Sequence, residues 1–339
     1  MKILLMRIDR LGDLILTLPA ISAIQKAYPH ARIEMLVNQP YKEFIAAIPE
    51  ITTIHTIDTY HWTASKVGKL LYELRKQEYD LAINLLPRTH HLSSLILFFV
   101  RAKEKAGYSV GLQKYYLTKK VPPVTKLKFE RELVFDILRN IGINAVDTKI
   151  ELPFGQEPQE MMKKKEKIIV IHPATASDWR RHWPLSSYQR LVELLTKTEK
   201  DISIIFTGTA EEKKDIEKVI FGITYGSKRI KNIAGETTIK ELCALVRNAA
   251  IIISPLTSIT HIAVAMGKPA IALVGPTPIE RWTTQDLPYY VIKKDFPCSP
   301  CEHKKGCIYG KENKCMHAIT PEEVYEKSIF LLKQQEKVS

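Results

Sequence analysis

The chain has 339 residues, long for a single hydrophobic core, so two domains of about 150 residues each are expected. Apolar residues make up 45% and charged residues 26%, which is ordinary for a soluble globular enzyme, and the longest apolar run, Leu95–Val100, has six residues and is too short to span a bilayer. Fifty Lys and Arg against 37 Asp and Glu leave a net charge of +13, which invites an anionic partner; without a helix-turn-helix, RNP or zinc-finger signature, that partner is not read as nucleic acid.

The N-terminus, MKILLMRIDR, lacks the long apolar segment and small-residue cleavage site of a signal peptide, so a cytoplasmic location is expected. A buried-looking strand, Lys2–Met6, runs into a helical pattern ending at Ala27, and the turn between them carries Arg7, Asp9, Arg10, Gly12 and Asp13. In an α/β protein such a turn opens onto the crevice at the carboxyl ends of the strands. Gly12 lets backbone come close to a ligand. Asp13 has two readings: an N-cap for the following helix, or a general base for a hydroxyl substrate. Strands at Ile33–Val37 and Leu81–Leu86, with helices at Tyr41–Ala47, Ser65–Gln77 and Phe129–Ile141, continue a doubly wound pattern.

Between Arg101 and Lys128 eight basic residues face one acid, Glu104, with Tyr108, Tyr115 and Tyr116 among them. The stretch is either a solvated loop or a site for a phosphorylated or membrane-surface acceptor, with Lys114, Lys119 and Lys120 as contacts. Glu151–Lys167 reads as an interdomain connection. The βα rhythm then restarts, with strands at Lys167–Ile171, Ile202–Thr207, Ala250–Ser254 and Pro269–Val274 and helices at Leu185–Lys197, Ala210–Val219, Ile239–Asn248 and Thr257–Met266.

Three segments of the second half carry chemistry. In Ile171–Pro184 (IHPATASDWRRHWP), Thr175 and backbone N–H groups can cradle phosphate and Arg181 can neutralise it. In FTGTAEEKKDIE, Glu211 and Glu212 fall in a first helical turn, where the helix dipole alone explains acids, although either could receive ribose hydroxyls. In IIISPLTSITHIAVAMGKP, a helix starts near Thr257 and Ser258 with His261 on its first turn, an N-terminus suited to a diphosphate. Cys298, Cys301, Cys307 and Cys315 crowd one segment, which in a cytosolic chain favours metal over disulfides. A structural zinc is one reading of that cluster; free thiols or a redox-dependent disulfide are the others. Thr320–Gln335 is helical, with Thr320-Pro321-Glu322-Glu323 as its start signal.

The ordered set R-x-D-R-L-G-D-L-I-L-T-L-P, H-P-A-T…W-P, the glycine–acid turn, T-S-x-x-H-x-A-x-A-x-G-K-P…G-P-T-P and the terminal CMHAITPEEV resembles glycosyltransferase family 9, the bacterial heptosyltransferases of the lipopolysaccharide inner core. The resemblance covers nearly the whole chain. It implies a GT-B fold, α/β with two Rossmann-like doubly wound domains facing across a cleft. Residues 1–155 would bind acceptor and residues 165–318 a nucleotide sugar, with a terminal helix, 319–339, crossing back to the first domain. It implies Asp13 as the base of an inverting transfer from an ADP-heptose-like donor to an anionic cell-envelope glycolipid at the inner membrane surface. Thr175, Arg181, Glu211, Glu212, Thr257, Ser258 and His261 would hold the donor; Arg10, Gly12, Lys114, Lys119 and Lys120 would hold the acceptor. No cofactor is implied for catalysis. The family reads Asp-Ser/Thr-Gly-x-x-His where this chain has Leu256-Thr257-Ser258-Ile259-Thr260-His261, a departure that leaves a nucleotide-sugar-binding protein without turnover as the competing reading. A nucleotide-sugar epimerase of the same fold is opposed by the N-terminal motif.

Overall fold

The computed structural model describes residues 1–144, 152, 154, 167–173, 178–223, 226–301, 306–310 and 312–336. The chain divides into two compact units, Met1–Pro153 and Phe154–Ser339. The first unit runs β1 (Lys2–Arg7), α1 (Leu11–Ala27), β2 (Arg32–Asn38), a 3-10 turn (Gln39–Tyr41), α2 (Lys42–Ala46), β3 (Ile51–Ile57) and α3 (Ala64–Arg75). It continues with β4 (Tyr79–Asn84), α4 (His91–Phe99), β5 (Ala102–Tyr108), a 3-10 turn (Gly111–Tyr115), β6 (Lys119–Val121) and α5 (Glu130–Asn140). Its six strands are all parallel in the order β3-β2-β1-β4-β5-β6. Strand β1, KILLMR, is buried from Ile3 to Arg7 on both faces, which is why it reads as a continuous apolar run rather than an alternating one.

The second unit runs β7 (Lys167–Ile171), a 3-10 turn (Trp179–Arg181), α6 (Leu185–Thr198), β8 (Ile202–Phe206), α7 (Lys213–Phe221), β9 (Ile230–Asn232) and α8 (Ile239–Asn248). It continues with β10 (Ile251–Pro255), α9 (Ser258–Ala265), β11 (Ala270–Val274), α10 (Ile279–Trp282), β12 (Tyr289–Lys293), α11 (Lys314–His317) and α12 (Pro321–Glu336). Its order, β12-β11-β10-β7-β8-β9, is the first sheet's order repeated. In both units the order reverses beside the first strand, between β1 and β4 and between β7 and β10. That is the switch point at which doubly wound sheets bind ligands.

Two sequence expectations change. The Arg101–Lys128 stretch is not one loop: it forms β5, a 3-10 turn and the edge strand β6 before the irregular residues 122–128. Charge hid β5 because only its last three residues, Ala106, Gly107 and Tyr108, are buried. The half-exposed edge strand β3 and the partly covered β12 carry too few buried positions to read as strands. The terminal helix starts as its sequence announces, Thr320 and Glu323 exchanging bonds of 3.0 Å and 3.2 Å. Its buried residues Val324, Leu331 and Leu332 pack in the second unit's core with Ile169, Leu191 and Ile253.

Trp183 is the keystone of that core. Its ring meets Tyr188 edge-on at 4.7 Å, and its indole N–H donates to the Ile319 carbonyl at 2.9 Å, just before α12. Trp183→Phe is expected to cost the indole bond and part of the packing, and Trp183→Ala about 3–5 kcal/mol. Urea unfolding followed by circular dichroism measures both; equal stability of Trp183→Ala and the parent would remove the tryptophan from the core's support.

Candidate active site

The first unit's site assembles at its switch point. Arg7 ends β1 and is buried, and its guanidinium reaches in three directions. Nε donates to Asp9 Oδ1 at 2.8 Å, Nη1 to the Leu85 carbonyl beyond β4 at 2.7 Å, and Nη2 to Glu130 Oε1 at 2.7 Å. Nη2 also lies 3.2 Å from Asp13 Oδ1. Asp9, Asp13 and Glu130 bring carboxylate oxygens within 4.8 Å of one another, and the guanidinium bonds into this group as a cation would.

Helix α1 bears on the cap reading of Asp13. It begins at Leu11, so Arg10 holds the N-cap position and Asp13 lies inside the first turn. Asp13 is therefore not the cap. The residue is 5% exposed, and its buried Oδ1 accepts no hydrogen bond despite the nearby guanidinium. Burial, then the negative charge of Asp9, push the Asp13 carboxyl up to about 7, while Arg7 pulls the other way. The sign follows from counting charges: three carboxylates surround one buried guanidinium. A unit charge pair at 4 Å is worth about 4 kcal/mol near a protein surface, and the one buried cation, with the half-exposed Arg88 4.0 Å from Glu130 as a second, leaves the acids in excess. Asp9 is raised as well, by burial first.

Several residues here were missed from the sequence. Glu130 opens α5 and is wholly buried, although acids in a first helical turn usually face solvent. Tyr41 lies within the electrostatic reach of Asp9 and Asp13, its phenol raised to about 12 chiefly by burial. His90, lowered by burial, caps α4 by accepting from Ser93 N–H at 3.2 Å. Of the expected acceptor contacts, Arg10 is exposed at the α1 cap and Gly12 is buried in the first turn. Lys119 and Lys120 sit on β6, three strands from β1, which is about 14 Å at the usual strand spacing. Lys114 lies in the exposed 3-10 turn. These lysines are therefore set apart from Asp13.

In the second unit, Thr257 is the N-cap of α9, but its hydroxyl meets Ser254 Oγ at 3.1 Å and makes no capping bond. The first N–H groups of α9 are thus left without a side-chain cap, as a bound anion requires. Ser258 opens the helix. His261 is buried, its Nδ1 2.6 Å from the Tyr289 hydroxyl and its ring edge-on to Tyr289 at 5.8 Å. Leu256 packs with Ala272 and Val274 beneath Ile279, Trp282 and Val291, so apolar contact replaces the acid of the family pattern. Glu211 and Glu212 precede α7 rather than lying in its first turn. Glu212 Oε2 accepts from Thr209 N–H at 2.7 Å and closes the Gly208 turn, while Glu211 is exposed. His172, after β7, was missed: burial pushes it down to about 4, and its Nδ1 lies 3.0 Å from the Thr207 hydroxyl. Thr175 lies outside the described residues.

Arg181 closes the 3-10 turn after Asp178, and Arg180 pairs with Asp178 at 2.8 Å. The cysteine segment braces this turn. Asn313 Nδ2 bonds the carbonyls of Trp179, Arg180 and His182 at 3.3, 3.0 and 2.7 Å. Cys301 N–H donates to Pro276 O at 2.9 Å, and Cys315 Sγ packs so closely that a Cβ on Gly275 would come within 2.8 Å of it. Cys301 and Cys315 are buried, and Cys298 and Cys307 half-buried. Among the described residues, no three of these sulfurs come within 4.8 Å of one another, while Cys298, Cys301 and Cys307 lie close enough to act on the Cys315 thiol, which burial first of all raises. Among the described residues, no helix is long and apolar enough to cross a membrane.

The profile described as glycosyltransferase family 9 (heptosyltransferase) matches residues 67–312. The chain is 26% identical over 287 residues to lipopolysaccharide heptosyltransferase 3 of Escherichia coli K12, covering 80% of this chain and 81% of that protein. It is 25% identical over 346 residues to lipooligosaccharide heptosyltransferase 2 of Campylobacter jejuni, covering 98% and 99%. The solved E. coli ADP-heptose lps heptosyltransferase II superposes with a TM-score of 0.77 at 19% identity, covering 99% of this chain and 100% of that one. With two Rossmann-like units of GT-B type and this match over most of its length, the chain belongs to glycosyltransferase family 9 and is a glycosyltransferase.

Proposed function

We propose that this enzyme transfers heptose from ADP-heptose, with inversion, to a hydroxyl of an anionic lipopolysaccharide-core glycolipid, and that Asp13 is the general base. The observation that carries this reading is the Asp13 carboxylate itself. It is buried at the first sheet's switch point, excluded from capping, without a hydrogen bond on Oδ1, and poised at about 7, close to the working pH at which a base is most effective. In the proposed step, Asp13 takes the acceptor hydroxyl proton as that oxygen attacks the anomeric carbon. The bond from that carbon to the diphosphate breaks, and its electron pair leaves with ADP. Arg7 holds Asp13 in place from the inner side of the cluster.

Donor binding is assigned to the second unit. The uncapped start of α9 at Thr257 and Ser258 would receive the diphosphate, with Arg181 as its cation and His261 fixed behind it by Tyr289. Thr175 and the acids Glu211 and Glu212 complete the assignment, the acids toward the ribose. The descriptions of the relatives as heptosyltransferases, and of one as an ADP-heptose enzyme, support the choice of sugar and nucleotide.

Asp13→Asn keeps the side chain's size but not its basicity. Turnover with ADP-heptose and a core acceptor is expected to fall roughly 10²–10⁴-fold, measured by release of ADP; near-parental turnover would end the base assignment. Because a base works ionised, turnover should rise with pH through about 7. Asp9→Asn removes the neighbouring charge that helps keep Asp13 protonated, so the acid limb should move to lower pH; an unmoved limb would mean that another group titrates. Arg181→Ala should weaken ADP binding by calorimetry about 10–100-fold, and His261→Ala should weaken it less. Unchanged ADP affinity in both variants would place the nucleotide elsewhere.

A further inference from the structure

Helix α4 breaks the rule that a helix apolar on all sides is buried on all sides. Its inner face, Ser93, Ser94, Ile96 and Leu97, is buried in the first unit. Its outer stripe is also apolar yet faces solvent: Leu95 is 45% exposed, Phe98 55% and Phe99 36%. The 3-10 turn Gly111–Tyr115 packs against this helix and extends the stripe with Leu112 at 69% and Tyr115 at 75% exposure. The patch is built rather than incidental. Phe98 meets Phe99 edge-on at 5.1 Å and Tyr116 at 5.4 Å, and the Tyr116 hydroxyl donates to the Ser94 carbonyl.

Cations surround the patch. Lys105 Nζ donates to the Phe98 carbonyl at 2.8 Å and lies over the Tyr116 ring; Lys114 lies over Tyr115 at 4.9 Å. Arg101 follows the helix and Lys120 lies on β6. Among the described residues, Arg101, Lys114 and Lys120 have no acid at ion-pair distance, and Glu104, the stretch's one acid, is paired with Lys119 at 3.4 Å. An exposed apolar stripe within a basic rim suits a surface that is anionic outside and apolar just beneath. We propose that the α4 and Gly111–Tyr115 face docks the enzyme on an anionic lipid surface, its aromatic and leucine side chains entering the headgroup layer and its cations meeting lipid phosphates. The membrane would then hold the enzyme where a lipid-borne substrate resides, through contacts separate from the Asp13 cluster.

The test is co-sedimentation of the full chain with vesicles of phosphatidylglycerol and phosphatidylethanolamine, and with vesicles of phosphatidylcholine alone, from low to high salt. Binding should favour the anionic vesicles and weaken with salt, as the Debye length falls from about 10 Å at 0.1 M to about 3 Å at 1 M. Arg101→Gln, Lys114→Gln and Lys120→Gln together should weaken binding about 100-fold, at about fivefold per cation near an anionic leaflet. Leu95→Ser with Leu112→Ser should weaken it about tenfold or more at every salt concentration, with an unchanged melting curve as the folding check. Leu112→Trp leaves the fold intact at an exposed position, and its added fluorescence should shift to the blue with anionic vesicles. Equal binding of the variants and the parent, an unshifted Leu112→Trp spectrum, or a concentration-dependent dimer abolished by the leucine substitutions would each overturn the proposal, the last by making a second copy the occupant.

Discussion

The buried guanidinium of Arg7 is the interaction on which the first unit's chemistry depends. One side chain joins the end of β1 to the chain leaving β4, to Asp9 in the turn and to Glu130 at the start of α5. It closes the switch point where the sheet's strand order reverses. Removing one partner of such a buried set leaves an uncompensated charge, typically at a cost of about 3–5 kcal/mol. The arrangement is therefore rigid, and its rigidity sets the Asp13 environment. With one buried cation and the half-exposed Arg88 for three acids, Asp13 is held near the crossover between its two protonation states, where accepting and releasing a proton are both easy.

The second unit repeats the topology with different chemistry. Where the first unit gathers carboxylates, the second presents a helix start without a side-chain cap, an arginine turn and the half-buried His172, held well below its usual pKa. The division suits a reaction in which one partner is deprotonated and the other carries negative diphosphate. The cysteine-rich segment serves this unit as a brace. Through Asn313 it gathers three carbonyls of the Trp179–His182 turn, and through Cys301 and Cys315 it packs on the Gly275–Pro276 turn. Both turns flank the proposed donor site, so the segment's effect on chemistry runs through the position of the Arg181 backbone.

Much of this protein was legible in its sequence. Continuous apolar runs such as KILLM and IIIS mark strands buried on both faces, the alternation of strand and helix marks a doubly wound sheet, and Thr320-Pro321-Glu322-Glu323 marks the start of α12, because each signal is local and acts through hydrogen bonds or burial of adjacent residues. The order of motifs marked the family. Tertiary structure alone decided the surroundings of Asp13. Its alternative as a cap fell because α1 begins at Leu11, and its proton affinity depends on Asp9, Arg7 and a glutamate 123 residues from that arginine. It also decided that the basic stretch contributes two strands to the sheet, and that an apolar helix face lies among its cations. Desolvation and charge coupling act across space regardless of separation along the chain, so neither could be read until the packing had brought those groups together.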